Sequence, residues 1–182
     1  GTGAGMATGI MSAAALITVS KETGQAATTL VERNIAKMWQ RLYARSRLTS
    51  VWLINQDVEP QFDVLTIPVG TGGVVAQLLK DPNQQANGHP YATLKGRPVI
   101  PIEQCATLGT LGDIVLVDPT QYLGIEKDSV QMDSSIHVQF LNDETVYRWV
   151  LRFDGQPIWS SALTPAHGTN TTSPFVSLAA RA

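Results

Sequence analysis

The residues in this chain able to do chemistry are few and poorly grouped. GTGAGMATG at residues 1–9 offers successive glycine amides, the kind of backbone that cradles an anion at a helix start. A dinucleotide fingerprint would need a strand ahead of it and a third glycine where Met6 stands, so the stretch reads as a flexible connector. Gly70-Thr71-Gly72-Gly73 lacks the Gly-Lys-Ser/Thr ending of a phosphate loop. His89, His137 and His167 are far apart, with no partner at metal-ligand spacing. Glu126, Asp128 and Asp133 miss the spacing of a calcium loop, and Asp143-Glu144 reads as a polar turn. No nucleophile elbow or zinc-protease motif is present. These residues predict no catalytic site, no cofactor and no metal. The row Arg33, Lys37, Arg41 is a solvated helix face or a face turned to a neighbouring subunit.

Bulk properties narrow the class further. The 182 residues suffice for one good core, or for one domain and part of a second. Charged residues are 15 %, against roughly 25 % in an ordinary soluble domain. Such a chain either buries surface against partner subunits or carries a neutral polar exterior. A formal net charge of −2 gives no electrostatic basis for nucleic-acid binding. The single cysteine, Cys105, allows no internal disulfide and fits a reducing compartment. No apolar run has the length of a membrane span, and no signal peptide is visible. The chain opens on Gly1 without an initiator Met, as a processed product or a piece of a longer polypeptide would.

The element that organises the rest is expected at residues 28–54, an amphipathic helix running into an apolar strand. Thr29 and Glu32 have the spacing of a capping box. Val31, Ile35, Met38 and Leu42 recur at helical spacing, widened by Leu30 and Trp39, and Arg41, Arg45 and Arg47 crowd the last turns. Val51 to Ile54 has no polar alternation and predicts a strand covered on both faces. A shorter helix follows over residues 55–65, with Asp57 as N-cap and Pro60 in the first turn. Residues 66–90 form a long excursion with at most one short element around 74–79. Short strands are expected at 17–19 and 91–94, then an edge strand at 96–101 because of its prolines, and a buried strand at 113–118. From Ser135 the pattern has period two, with turns at Asn142-Asp143 and Asp154-Gly155 and strands on either side, the last over 158–163. A loop and a final apolar piece, 175–178, close the chain.

The succession of these segments resembles the tailed-phage major capsid proteins. GTGAG with Gly9-Ile10 resembles the glycine loop that follows the family's spine helix. Arg45-Ser46-Arg47, the Val51-Trp52-Leu53-Ile54-Asn55-Gln56-Asp57 junction and Leu94-Lys95-Gly96-Arg97-Pro98-Val99-Ile100-Pro101 resemble its axial domain. Arg152-Phe153-Asp154-Gly155-Gln156-Pro157 resembles its peripheral sheet. The resemblance implies an α+β fold of the Hong Kong ninety-seven type: a mixed sheet flanked by helices plus part of an antiparallel peripheral sheet. It divides the chain into an axial domain (1–128), peripheral strands (129–163) and a tail returning to the axial domain (164–182). The arm, extended loop and spine helix would lie ahead of Gly1.

The implied function is structural, without catalysis: hexamers and pentamers of an icosahedral head. Its partners would be copies of itself, scaffolding or portal proteins, and packaged DNA held without sequence-specific contact. No membrane is involved. The shell would be assembled in the bacterial host cytoplasm and end in the virion. Gly70, Gly72, Gly73, Asn83 and Asn87, with Arg33, Lys37 and Arg41, are the expected inter-subunit contacts. Crosslinking of the kind some members perform is not expected, since residues 145–153 contain no Asn. Two other readings remain: an encapsulin-like compartment, separated by its flanking genes, and a nucleotide-binding enzyme using the glycine loops, betrayed by thermal stabilisation with nucleotide.

Overall fold

The computed structural model describes residues 1–69, 73–77, 79–80 and 91–181, with 66–80 as backbone alone. The strands are β1 (Ile17–Val19), β2 (Val51–Ile54), β3 (Thr66–Val69), β4 (Gly73–Gln77), β5 (Leu79–Lys80), β6 (Thr93–Leu94), β7 (Arg97–Pro101), β8 (Ile114–Val117), β9 (Tyr122–Gln139), β10 (Glu144–Pro157) and β11 (Phe175–Leu178). The helices are α1 (Glu32–Arg41) and α2 (Glu59–Asp63). Seven strands make one mixed sheet in the order β1-β11-β8-β2-β7-β6-β5, while β9 with β10 and β3 with β4 pair as separate antiparallel ribbons. The expected α+β layout, a mixed sheet plus a small antiparallel one, is therefore present.

Each face of the main sheet has its own core. Ile17, Trp52, Ile54, Ile114, Leu116, Val176 and Leu178 point to the face on which Ile35, Met38 and Leu42 of the α1 segment pack, together with Val58 and Phe62 at α2. Both helices thus cover the same face. Val115, Val117 and Phe175 point the other way, onto Ala13, Ala15 and Cys105, with Val51 and Leu53 half-buried among them. The strand expected to be covered on both faces is so, completely on one and partly on the other. β8 and β11 are buried along their whole length.

Several local expectations give way to tertiary contacts. The helix begins at Glu32, and the Thr29–Glu32 box does not form. Thr28 instead adopts φ 53° and its amide donates to the Arg181 carbonyl at 2.8 Å, while the Thr29 hydroxyl donates to the Ala26 carbonyl. Asn34 does the capping: its Oδ1 accepts from the Val31 amide at 3.1 Å. The helix also ends early, because Leu42 turns extended and bridges Ser173. Arg45 and Arg47 consequently sit in a separate 3₁₀ turn, Ala44–Leu48, and not on the helix end.

Asp57 caps nothing: Asn55 caps a 3₁₀ turn, Gln56–Val58, by accepting from the Asp57 amide at 3.0 Å, and α2 follows with Val58 at its N-cap and no side-chain bond there; Pro60 lies in the first turn as expected. β7 is no edge strand either, since it lies between β2 and β6. Its ladder makes no demand on Pro98 or Pro101, because the flanking bonds run from Val99 to the Ala92 carbonyl and from Ile102 to the Ile54 carbonyl. In the excursion, β3, β4 and β5 stand where one short element was expected.

The chain end is locked into the body by a buried ion pair. Arg181 and Asp113 both have fully buried side chains, joined by two guanidinium–carboxylate contacts, one of them Nη1 to Oδ1 at 3.2 Å. Asp113 Oδ2 also accepts the Gly109 amide at 2.9 Å, and the Arg181 amide donates to the Gly109 carbonyl at 2.7 Å. Gly109 has φ +88°, and a Cβ there would meet the Thr28 methyl at 2.8 Å, so only glycine lets these three segments close together.

Candidate assembly surface

β9 and β10 leave the body as one long ribbon. β9 has 18 residues and β10 has 14, joined by a turn in which Asp143 takes φ 53°. The ribbon absorbs residues 122–134, for which the sequence carried no strand expectation. It also runs through Asp154-Gly155, which pair with Ile125 and Gly124 and make no turn, and residues 158–163 form no strand. β9 crosses the expected boundary at residue 128 with only a bulge, Asp128 at φ 60°, where the register slips between Val150 and Arg152.

Its two faces differ. Directly paired residues share a face, so Met132 lies with Trp149, Ser134 with Tyr147 and Glu126 with Phe153; alternation adds Leu151. Met132, Tyr147, Trp149, Leu151 and Phe153 remain 51–63 % exposed, with the Tyr147 and Trp149 rings stacked at 6.1 Å. The opposite face carries Asp133 and Arg148, paired at 2.7 Å, and the cations Lys127 and Arg152 opposite each other. At the tip Phe140 and Leu141 are 71 % and 96 % exposed. The ribbon is thus amphipathic with its apolar face bare.

The root of the ribbon is rigidly built. Asp118, 1 % exposed, accepts from the Thr49 hydroxyl at 2.8 Å, the Thr120 hydroxyl at 2.7 Å and the Thr120 amide at 3.1 Å. Burial alone would raise its carboxyl pKa; hydrogen bonds from Ser46, Thr120 and Thr49 outweigh that and hold it below the usual value. Trp159 Nε1 donates to Gln121 Oε1 at 2.9 Å, and its ring leans on Tyr43 with centroids 5.1 Å apart.

The expected contact residues are scattered over the molecule. Gly70, Gly72, Asn83 and Asn87 lie outside the described residues, as does His89, and Gly73 opens β4. Arg33 is exposed, Lys37 pairs with Glu22 at 2.5 Å, and Arg41 grips the tail through Thr171, Nε to the carbonyl and Nη2 to the hydroxyl at 2.6 Å each. Two of the three row cations therefore hold the chain's own segments together. The ribbon face, which no single motif announces, was not among the expected contacts; the run Tyr147, Trp149, Leu151, Phe153 was the signal that could have found it.

His137 and His167 are exposed, and among the described residues no group of three or more His, Cys, Asp or Glu could hold a metal ion. Burial and the nearby Asp113 carboxylate push the Cys105 thiol up to about 11, which makes it a poor nucleophile. The opening glycine loop is no free connector, because its Thr2 and Thr8 bridge each other and Thr8 reaches the ribbon.

A chain from the capsid of an empty GTA particle computed with C5 symmetry shares the fold, with a TM-score of 0.61 at 15 % sequence identity over 97 % of this chain and 57 % of that one. The present chain therefore spans little more than half the length of that relative. No curated protein matches it. Residues 1–168 match the model of the phage capsid family, and the chain belongs to that family.

Proposed function

We propose that the chain is the major capsid subunit of a phage or prophage head, self-assembling into the hexamers and pentamers of an icosahedral shell. The bare apolar face of the β9–β10 ribbon carries this reading. A lone two-stranded ribbon is marginal in water, and this one leaves five large apolar side chains on one face unburied. Each is a little over half exposed, so covering what remains is worth about 1–2 kcal/mol apiece, a gain that contact with protein would supply. The body would be the axial domain, the ribbon part of the peripheral one, and the tail from residue 164 returns to the body through β11.

Arg33 and the 66–90 excursion remain candidates for contacts around the capsomer axis. Scaffolding and portal proteins, and DNA held without base readout, complete the proposed partners; assembly takes place in the host cytoplasm. No helix among the described residues is long and apolar enough to cross a membrane. The nucleotide-binding alternative has no support in the geometry, since Thr8 of the glycine loop is engaged with the ribbon. Nothing favours the encapsulin-like alternative over a phage head.

Electron microscopy of the protein expressed from its complete gene tests the proposal. Rings or closed shells are expected, and Trp149→Glu with Leu151→Glu should abolish them while circular dichroism stays unchanged. Wild-type protein that stays monomeric under every assembly condition, or a double variant that assembles normally, would overturn it.

A further inference from the structure

We propose that the glycine-rich opening loop is a clasp that sets the angle of the ribbon to the body. Three residues from three segments close on one another at the ribbon's root. The Thr8 amide donates to the Gly155 carbonyl of β10 at 2.7 Å. The Tyr122 hydroxyl of β9 donates to the Thr8 carbonyl at 2.9 Å. Tyr122 in turn lies flat across Gly155: a Cβ on that glycine would stand 2.6 Å from the hydroxyl oxygen and 2.7 Å from the ring edge. One loop residue therefore ties both strands, and only a glycine lets the tyrosine reach it.

The loop is closed on itself and anchored to the body at its Ile10 end. The Gly9 amide bonds back to the Gly1 carbonyl at 2.8 Å, and Ile10, next in the chain, packs into the core beneath the sheet. Elsewhere at the root, the Thr49 hydroxyl bonds Asp118 and Trp159 bonds Gln121. With the clasp closed, the ribbon is held by these contacts and by the loop together. Without it, the Asp118 and Trp159 contacts alone would hold a ribbon whose longer strand has 18 residues, and a hold that is lost at one point lets the ribbon swing.

Spin labels at Gln40 on α1 and Gln139 near the ribbon's end measure the angle directly, because the buried Cys105 stays unlabelled. In the 182-residue chain, the wild type should give one narrow distance distribution by pulsed electron resonance. Gly155→Ala, which displaces the ring, and Tyr122→Phe, which removes only the hydroxyl, should each broaden it. The Thr8 amide should exchange with deuterium about two- to tenfold faster in both, the loss expected for one hydrogen bond. Tyr122→Phe keeps the ring packing, so it reports even where Gly155→Ala disturbs folding. Distributions that superimpose on wild type in Tyr122→Phe overturn the proposal, whatever Gly155→Ala does. Lowered melting temperature without broadening in either variant overturns it equally.

Discussion

The buried pair between Arg181 and Asp113 makes the sharpest quantitative prediction. Both side chains are fully excluded from water, and the pair joins the last described residue to the loop ahead of β8. Arg181→Met leaves the Asp113 carboxylate buried with only the Gly109 amide for company. Breaking such a pair from one side costs about 3–5 kcal/mol, because an uncompensated charge stays in the core. At roughly 2–4 °C per kcal/mol for a domain of this size, melting should fall by about 6–20 °C. Asp113→Leu alone should cost as much, since the guanidinium keeps only the Ala179 carbonyl.

The double variant removes both charges and leaves one orphaned amide, at Gly109, worth about 1–3 kcal/mol, against the desolvation of two ions that is no longer required. It should therefore be more stable than either single variant and lie close to wild type. Urea unfolding followed by tryptophan fluorescence is the assay, with Trp52 fully buried as the reporter. If the double variant loses the sum of the two single losses, the residues act independently and the reasoning fails.

Three further outcomes follow from single side chains. Asp118 has its carboxyl held below the usual 3.8, so the unfolded chain takes up the proton first. Its contribution is complete above about that pH and is lost as the pH falls through the lower folded value; Asp118→Asn should flatten the acid limb of a stability–pH curve and cost about 1.5–3 kcal/mol at pH 7. Cys105, pushed to about 11, should resist a thiol reagent at pH 8 in the native protein and react at once in urea, and a fast native reaction would contradict the burial. Gly109→Ala must hold φ +88° with its methyl against Thr28, and should destabilise by more than about 1 kcal/mol in the same urea assay.

What could be read from the sequence was whatever a residue's near neighbours decide. β2 and β8 were legible because their apolar runs are unbroken, and β1 as a short β-branched stretch, while residues 175–178 showed only as an apolar piece and the structure makes them β11. The helix bounds were not, since the Thr28 amide is claimed by Arg181 and the Leu42 backbone by Ser173, partners more than a hundred residues away. The proline rule misplaced β7 because it weighs missing donors without knowing which bonds the register uses. β9 escaped for a different reason. Neither face of the ribbon rests on the body, so residues 122–134 carry no strict alternation of apolar and polar side chains, and a strand without a core to face leaves a weak signal.

That same weakness bears on assembly. In the body β1, β2, β8 and β11 have apolar faces that the chain's own helices and loops cover, and the buried Arg181 is paired with Asp113. The ribbon inverts the arrangement: Tyr147, Trp149, Leu151 and Phe153 repeat at strand period and stay more than half exposed, touching only the ribbon's own residues among those described. On the proposed reading, a fold that satisfies one half of itself and leaves the other half exposed directs its association through the exposed half. Contact through the body would add little to a core already closed, whereas contact through the ribbon supplies what the two strands lack. The low charge of the chain belongs to the same economy, because a ribbon face set with lysines and glutamates would be soluble alone and would have no reason to be covered.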